Sequence, residues 1–256
     1  MLADSEYLPK RLAKTIIPWR YHNLFRRVLK QIHHYGFSHY CPICRSHLQS
    51  FLAFGSPLRQ NACCPVCGSL ERHRLIYLFL SSKTTLFHSP KKKMLHVAPE
   101  QCLVAIFQAS SNIDYVSVDL APGAMHIMDL TDLQFPDNTF DAVYASHVLE
   151  HIVNDQKAVR EIFRVLKPLG WAILQVPITG DKTYEDADIV TPEDRERVFG
   201  QHDHVRTYGE DYYDRLRQAG LVVIRHNVPA QQHALSAKRL GISQTEDIVF
   251  CIKPGP

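Results

Sequence analysis

Long apolar runs and two widespread sequence motifs are missing from this chain. Its 256 residues contain no run of 18 apolar residues, so we expect no membrane-spanning helix. No signal peptide is recognisable, because the apolar segment Thr15–Trp19 is short and no small-residue cleavage site follows it. The absence of GxGxxG argues against a nicotinamide-dependent dehydrogenase, and the absence of GxSxG argues against an α/β-hydrolase. We therefore expect a cytoplasmic protein outside these classes.

Charge is distributed unevenly along the chain, although the net charge is only +3. Residues 1–93 contain 15 Lys and Arg against 3 Asp and Glu, a net charge of +12, and residues 94–256 carry −9. Such a difference predicts two physical units. The basic part could dock on the acidic part, bind an anionic substrate or nucleic acid, or lie on a membrane surface. Within it, Arg20–His34 has the pattern of a basic amphipathic helix, which we expect to pack on the rest of the protein.

Four of the seven cysteines form two CxxC pairs, Cys41-Pro-Ile-Cys44 and Cys64-Pro-Val-Cys67, with 19 residues between them. Zinc is bound tetrahedrally by four thiolates, and each CxxC turn offers two sulfurs. The pattern therefore predicts a structural zinc ion bound by Cys41, Cys44, Cys64 and Cys67. A reduced set of thiols without metal is the alternative, as is a shifted ligand set that includes Cys63.

The region after the second cysteine pair is basic and leads towards a linker. Arg72, His73 and Arg74 could clamp a phosphate or a carboxylate, or form a solvated helix face or salt bridges to the acidic part. Residues 89–93 read as a linker. We therefore predict three parts: a basic helical segment 1–40, a zinc-knuckle unit with a connecting helix 41–90, and an α/β domain 91–256.

From Met94 onward, apolar segments with the length of buried strands alternate with amphipathic helical segments. Phe140–Ala145 and Trp171–Val176 flank Asp155–Leu166, whose apolar positions recur at helical spacing. This order predicts a parallel βαβ unit, and such units bind ligands at the carboxyl ends of their strands. The other predicted elements are strands Met94–Val97, Tyr115–Val118, His126–Met128, Leu221–His226 and Asp247–Ile252, and the helix Gly209–Gln218.

The segment FDAVYASHVLEHI…REIFRVLKPLGWAILQVP within residues 140–177 carries a resemblance. It resembles the fourth and fifth strands of class I S-adenosylmethionine-dependent methyltransferases, with LEH after the fourth strand and an LKPGG-like turn before the fifth. Leu169 stands where that family mostly has glycine. The likeness covers roughly Leu95–Lys253, and a subgroup with a cysteine knuckle ahead of an LHVAPE-like loop resembles the chain closely. The resemblance implies an α/β fold with a seven-stranded Rossmann-like sheet, its last strand antiparallel, behind an N-terminal helical and zinc-knuckle unit.

The resemblance also implies a site for S-adenosylmethionine at the ends of the first four strands. Asp119 would bind the ribose diol, and Asp129 would lie beside the adenine; a turn or helix-cap role is the alternative for each. The predicted donor-binding residues are His96, Ala98, Pro99, Glu100, Asp119, Leu120, Asp129, Leu130, Ser146 and His147.

The first loop departs from the family pattern because it contains no glycine. Ala98 is small enough to leave room, and Pro99 can open the following helix. Glu100 could accept a hydrogen bond from the ammonium group of the donor but would repel its carboxylate. A variant donor site is the prediction, and a chain that binds the donor weakly or not at all is the alternative.

Histidines at the end of the fourth strand and in the polar insertion Thr179–Tyr208 are candidate general bases. The candidate catalytic residues are His147, His151, His202 and His204, and the candidate acceptor-binding residues are Tyr184, Asp186, Asp203, Arg206 and Tyr208. A hydrogen-bonded lid is the alternative for the insertion, and a weak metal site at His202, Asp203 and His204 is another.

The sequence thus predicts methyl transfer to a small or medium polar acceptor, anionic ones included, with S-adenosylmethionine and structural Zn²⁺ as cofactors. One alternative is a nucleic-acid or protein methyltransferase recruited through the zinc unit. Nucleic acid is not favoured, because few aromatic residues interleave the basic ones in Cys41–Arg74. A non-catalytic binding module is the other alternative. The sequence assigns neither an oligomeric state nor the nucleophilic atom of the acceptor.

Overall fold

The computed structural model describes residues 22–227, 234–243 and 246–256, which form two compact units. The first unit combines the chain up to Leu78 with residues 232–244, and the second combines Phe79–Gln231 with Thr245–Pro256. The division into three parts at residues 40 and 90 stays a prediction.

The first unit contains two small β-hairpins, the first of which includes Cys41 and Cys44. Its elements in chain order are helix α1 (His22–His33), strands β1 (His39–Cys41), β2 (Ser46–Leu48), β3 (Leu52–Phe54) and β4 (Arg59–Cys63), and the start of helix α2 (Glu71–Lys83). Strands β1 and β2 pair antiparallel, and so do β3 and β4. The first CxxC pair thus lies at the turn of the first hairpin, and the second pair follows the last strand of the second hairpin.

Helix α1 confirms the helix predicted for Arg20–His34 from His22 onward, and positions 20 and 21 lie outside the described residues. Leu24 and Ile32 on its apolar face are 59% and 69% exposed. The packing that we expected for this face is therefore not seen among the described residues.

The second unit is built around a seven-stranded sheet. Its elements in chain order are β5 (Lys92–Val97), α3 (Gln101–Ala109), β6 (Ile113–Asp119), β7 (His126–Ile127), β8 (Phe140–Ser146), α4 (Asp155–Val165), β9 (Leu166–Gln175), β10 (Tyr184–Glu185), α5 (Pro192–Phe199), β11 (Arg206–Thr207), α6 (Tyr212–Gln218), β12 (Val222–His226) and β13 (Ile248–Ile252). Helix α7 (Ala234–Leu240) belongs to the first unit. Strands β10 and β11 form a separate two-stranded ribbon within the polar insertion.

The strand order in the large sheet is β12-β13-β9-β8-β5-β6-β7. Strands β7, β6, β5, β8 and β9 run parallel, and β13 is antiparallel to both of its neighbours. The predicted α/β fold, with seven strands and an antiparallel last strand, is confirmed. The parallel strands bring their carboxyl ends, and the loops after them, to one edge of the sheet.

Buried apolar side chains from the sheet and its helices form the core of this unit. Val143 and Leu174 of the sheet and Ile162 of helix α4 are fully buried. Helix α4 begins after Asn154, whose side chain accepts a hydrogen bond from the backbone N–H of Lys157. The helix therefore starts and stops where its sequence pattern predicts, within one residue.

Strand β9 begins at Leu166, five residues before the predicted start, because the LKPLG turn is part of the strand. The pairing register between β8 and β9 shifts at this point, and Leu169 has a left-handed backbone with φ of 63°. The N–H of Leu169 donates to the carbonyl of Lys253, 2.9 Å away. The glycine that the resemblance led us to expect at position 169 would adopt this conformation without strain.

No helix in the described part of the chain is long and apolar enough to cross a membrane.

Candidate active site and metal centre

The four sulfur atoms of the two CxxC pairs lie together in the first unit. Cys41 Sγ and Cys67 Sγ are 3.7 Å apart, as are Cys44 Sγ and Cys64 Sγ, and all four lie within 4.8 Å of one another. Sulfurs that bind one tetrahedral zinc ion at about 2.3 Å lie about 3.8 Å apart. The donor set and its spacing therefore fit zinc. Cys63 is outside this group, and its Sγ lies 3.8 Å from the carbonyl oxygen of Cys64.

In both CxxC turns, the residue after the second cysteine has a left-handed backbone conformation. Gly68 follows the second pair with φ of 73°, and Arg45 follows the first pair with φ of 57°. In the second knuckle the N–H of Gly68 donates to the carbonyl of Cys64 at 2.9 Å. Each CxxC pair is thus followed by a left-handed residue, which reverses the direction of the chain after the second cysteine.

Arg74, a candidate for an anion clamp, is fully buried in the first unit. Its guanidinium donates to the carbonyl oxygens of Ser69 at 2.6 Å and Ala62 at 2.9 Å, and it also contacts the carbonyls of Leu240 and Gly241. These contacts tie the second knuckle to the segment that follows α7. Arg74 therefore stabilises the unit from within.

In the second unit, the loop after β5 makes a sharp turn without glycine. Ala98 has a left-handed backbone with φ of 48°, and its N–H donates to the carbonyl of Val118 at 2.9 Å. Helix α3 then begins after Glu100. Ala98 thus takes the conformation that glycine adopts most readily, at the point where the chain leaves the central strand.

A buried hydrogen-bonded chain fixes Glu100. Its Oε2 lies 2.6 Å from Nε2 of His96, and its Oε1 accepts a hydrogen bond from the Tyr144 hydroxyl at 3.1 Å. His96 is fully buried, and its Nδ1 lies 3.1 Å from the hydroxyl of Tyr115, whose pKa burial raises to about 12. In this arrangement the Nε2–H of His96 donates to Glu100, and the Tyr115 hydroxyl donates to Nδ1 of His96.

The two predicted donor-binding aspartates follow neighbouring strands. Asp119 ends β6, and its Oδ1 accepts a hydrogen bond from the N–H of Ala121 at 3.1 Å; no described residue donates to its Oδ2. Asp129 follows β7, and its Oδ1 accepts from the N–H of Thr131 at 2.7 Å. Each aspartate closes a turn with one oxygen.

Leu120 and Leu130, the neighbours of these aspartates, differ in exposure. Leu120 is 71% exposed, whereas Leu130 is buried in the core.

The carboxyl end of β8 holds buried polar atoms without partners. Ser146 is the last residue of β8, and its buried Oγ has no hydrogen bond to any described residue. His147 follows with φ of 56°, and its N–H donates to the carbonyl of Gln175 at 2.8 Å. Glu150 is 1% exposed, and neither carboxylate oxygen has a hydrogen-bond partner among the described residues. The His147 ring lies beside it, with Nδ1 3.3 Å from Oε1.

Glu150 was absent from the sequence predictions. It lies between the two histidines of the segment SHVLEH, in a single 3₁₀ turn, Leu149–His151. The signal for it was present, because the LEH motif that pointed to His151 also contains this glutamate.

One histidine of the insertion, His204, lies against this turn. His151 and His204 have ring centroids 4.7 Å apart, and His151 Nδ1 is 3.2 Å from Oδ2 of Asp203. The pKa of His204 is lowered mainly by burial and further by the nearby His151. His202 is separate, with a side chain that is 71% exposed. Three of the four candidate catalytic histidines, 147, 151 and 204, are thus close to Glu150 or to one another.

Arg206 connects the insertion to the turn after β8. Its side chain is 3% exposed and donates to the carbonyls of Leu149 at 3.0 Å and Val153 at 2.8 Å and to Glu185 at 2.8 Å. Tyr208, also buried, donates to Asp155 at 2.7 Å. These two candidate acceptor-binding residues therefore have their polar groups occupied by the protein.

The other candidate acceptor-binding residues are at the surface. Tyr184 is 52% exposed, the Asp203 side chain is 50% exposed, and Asp186 accepts a hydrogen bond from the N–H of Asp188 at 3.0 Å.

Comparison with known proteins agrees with this geometry. Residues 94–174 match the family described as Methyltransferase domain. The chain is 42% identical over 59 residues to the ubiquinone/menaquinone biosynthesis C-methyltransferase UbiE of Hydrogenovibrio crunogenus, which is 23% of this chain and 19% of that protein. It is 50% identical over 42 residues to the sterol 24-C-methyltransferase erg6 of Aspergillus fumigatus, which is 16% of this chain and 11% of that protein. The chain thus spans less than a fifth of each of these relatives.

Among solved structures, the [4+2]-cyclase SpnF has a TM-score of 0.51 and 19% sequence identity over 72% of this chain and 82% of that one. This similarity shows the fold. The seven-stranded sheet of the second unit thus has the Rossmann-like methyltransferase fold, and residues 94–174 within it match the Methyltransferase domain family.

Proposed function

We propose that this protein transfers a methyl group from S-adenosylmethionine to a polar acceptor at the carboxyl edge of the large sheet. The observation that carries the proposal is the placement of Asp119 and Asp129 at the ends of adjacent parallel strands, beside the left-handed turn at Ala98. This placement lies within the methyltransferase domain.

The residues present fit the donor. The Oδ2 atom of Asp119 is available to accept hydrogen bonds from a ribose diol, and Asp129 is available for the exocyclic amine of an adenine. Ser146 lies at the end of β8, which β5 separates from β6 in the sheet. Its buried hydroxyl has no hydrogen-bond partner among the described residues. Because both oxygens of Glu100 have partners in His96 and Tyr144, we infer that this carboxylate supports the first loop.

The reaction is an in-line displacement. When bound, S-adenosylmethionine supplies the methyl group: the lone pair of the acceptor forms the new bond to carbon as the C–S bond breaks, and that electron pair stays on sulfur. The protein aligns the acceptor and takes up its proton. We favour His147 as the base, because its Nδ1 faces Glu150 and its side chain is 29% exposed beside the end of β8. The carboxylate would orient the ring.

We propose that the insertion 179–208 covers the acceptor and sets its polarity. Tyr184, Asp186 and Asp203 present exposed polar groups there, whereas Arg206 and Tyr208 hold the insertion on the turn after β8. A small or medium polar acceptor suits this lining. We also propose that a structural zinc ion bound by the four cysteines stabilises the first unit.

Calorimetric titration of the full-length protein with S-adenosylmethionine and with S-adenosylhomocysteine tests the proposal. We expect binding of both, and a loss of at least about tenfold in affinity in Asp119→Ala, because a hydrogen bond to a charged group is removed. Asp114→Ala, at an exposed position on the same strand, is the matched control and should bind like the wild type. No binding of either ligand to the wild type would overturn the proposal.

A macromolecular acceptor recruited through the first unit is the second candidate function. It is favoured by the net charge of +12 in residues 1–93 and by the exposed Arg26, Arg27 and Lys30 on α1. Binding to RNA that weakens steeply as salt rises from 50 to 200 mM, as counterion release requires, would favour it over a small acceptor.

A further inference from the structure

Glu150, His151 and His204 lie together at the turn after β8. One ligand atom of each side chain, a carboxylate oxygen or a ring nitrogen, lies within 4.8 Å of the others. Glu150 and His204 are buried, and His151 is half-buried. Two imidazoles and one carboxylate are a donor set that binds divalent transition metals.

The carboxylate of Glu150 is the observation that points to a ligand. It is 1% exposed, yet no described residue donates a hydrogen bond to either of its oxygens. A buried carboxylate without hydrogen bonds is costly, and proteins satisfy buried charges by pairing them or by coordinating a metal. The Nδ1 atom of His147 lies 3.3 Å from Oε1, without hydrogen-bond geometry.

Both rings are oriented in the way that metal-binding histidines are. The Nδ1 of His151 lies 3.2 Å from Asp203, and the Nδ1 of His204 lies 3.3 Å from the carbonyl oxygen of Phe199. A ligating histidine almost always donates its other N–H to a carboxylate or a backbone carbonyl, which fixes the tautomer. With Nδ1 protonated in both rings, Nε2 is the nitrogen that carries a lone pair.

The backbone holds the three side chains together without a metal. The N–H of Val205 donates to the carbonyl of Glu150 at 2.9 Å, directly after His204. Arg206 binds the carbonyl of Leu149 in the same turn. The cluster is therefore assembled by the fold from two segments that are more than 50 residues apart in the sequence.

We propose that Glu150, His151 and His204 bind one divalent transition metal ion, through one carboxylate oxygen and the two Nε2 atoms. Ligand atoms at about 2.1 Å from one ion lie about 3.0 to 4.2 Å apart, so small side-chain rotations close the present cluster around it. Nitrogen ligands favour Zn²⁺, Co²⁺ or Fe²⁺ over Mg²⁺ and Ca²⁺. Three protein ligands leave coordination positions open, in contrast to the four thiolates of the first unit.

The ion would lie one turn beyond the carboxyl end of β8. Its open coordination positions could bind an oxygen of the acceptor and lower the pKa of that acceptor group. This role rests on the proposed function, whereas the binding of the metal ion does not.

Metal binding by the full-length protein tests the proposal. After dialysis against micromolar Zn²⁺, we expect two zinc equivalents in the wild type and one in Glu150→Gln and in His204→Gln. His202→Gln changes an exposed histidine two residues away and is the matched control, with two equivalents expected. Asp203→Asn should keep the site but weaken it by about 10- to 100-fold, because it removes an outer partner of a ligand.

Co²⁺ added to protein that has lost zinc from this site to a mild chelator, but keeps it at the thiolates, distinguishes the two sites. We expect weak d–d absorption without thiolate-to-cobalt charge transfer, and a metal-dependent rise in Tm that Glu150→Gln abolishes. Glu150→Gln keeps the size of the side chain, and near-ultraviolet circular dichroism checks that both variants fold. One equivalent in the wild type, or two in a folded Glu150→Gln variant, overturns the proposal regardless of whether the donor binds.

Discussion

The Nε2 atom of His96 lies 2.6 Å from the Oε2 atom of Glu100, which joins the central strand to the first residue before helix α3. This contact gives the glycine-free loop a rigid support. The loop turns at Ala98, between the two residues, and Tyr144 and Tyr115 extend the chain of hydrogen bonds on either side. The family resemblance implied that Glu100 would face the donor, and the contact with His96 gives it a second, structural function.

Glu100→Ala should lower the free energy of unfolding by about 2 kcal/mol, because it removes the carboxylate that buried His96 contacts at 2.6 Å. Urea unfolding followed by tyrosine fluorescence or circular dichroism measures the loss. Glu196→Ala, at an exposed position on α5, is the control and should change stability by less than about 0.5 kcal/mol. Equal stability of the two variants would contradict a supporting function of Glu100.

Cys64→Ser should reduce the zinc content and destabilise the first unit, since one of the four sulfur ligands is lost. Cys63→Ser, its immediate neighbour, should retain zinc, because the Cys63 sulfur lies outside the group. Metal analysis of the purified variants, together with Tm, gives the result. Loss of zinc in Cys63→Ser, with zinc retained in Cys64→Ser, would show that the shifted ligand set is the correct one.

Leu169→Gly should stabilise the protein by about 1 kcal/mol, because glycine adopts the left-handed conformation without the steric cost that leucine has. Leu169 is 74% exposed, so little packing is lost. Leu169→Ala keeps a Cβ in the same conformation and should bring no gain, which makes it the control for side-chain removal. Equilibrium unfolding compares the three proteins.

Stability should fall between pH 7.5 and pH 5 in part because of His204, whose pKa is lowered in the folded state, first by burial and then by His151. Above the unfolded pKa of about 6.5 the ring is neutral in both states, and below it the unfolded state binds more protons. His204 therefore contributes stability that is present above pH 6.5 and lost as the pH falls through the folded pKa. His204→Gln should show a shallower fall than His202→Gln in metal-free buffer, measured by urea unfolding at each pH. Parallel curves would contradict this contribution.

Local patterns in the sequence predicted most of the large sheet. The βαβ unit from Phe140 to Gln175 was evident because apolar residues recur with the period of a helix between two short apolar strands. The bounds of its strands are less predictable. Residues 166–170 have the sequence pattern of a turn, but in the structure they are the start of β9, where the pairing register with β8 shifts.

Residues whose partners are distant in sequence could not be predicted. Arg74 has the pattern of an exposed cation on a helix, but its acceptors include Leu240 and Gly241, more than 160 residues later. Glu150 is similar, since a glutamate in a short turn is usually at the surface. The segment at His204 and Val205 packs against it. The sequence predicts that this segment belongs to a polar insertion but does not predict its contact with Glu150.

A crystal structure of the full-length protein with S-adenosylhomocysteine tests the central claim most directly. We predict that the ribose diol lies within hydrogen-bond distance of Asp119, that the adenine lies beside Asp129, and that the sulfur points towards His147. A ligand bound elsewhere, or a ribose without contact to Asp119, would contradict the donor site proposed at the carboxyl edge of the sheet.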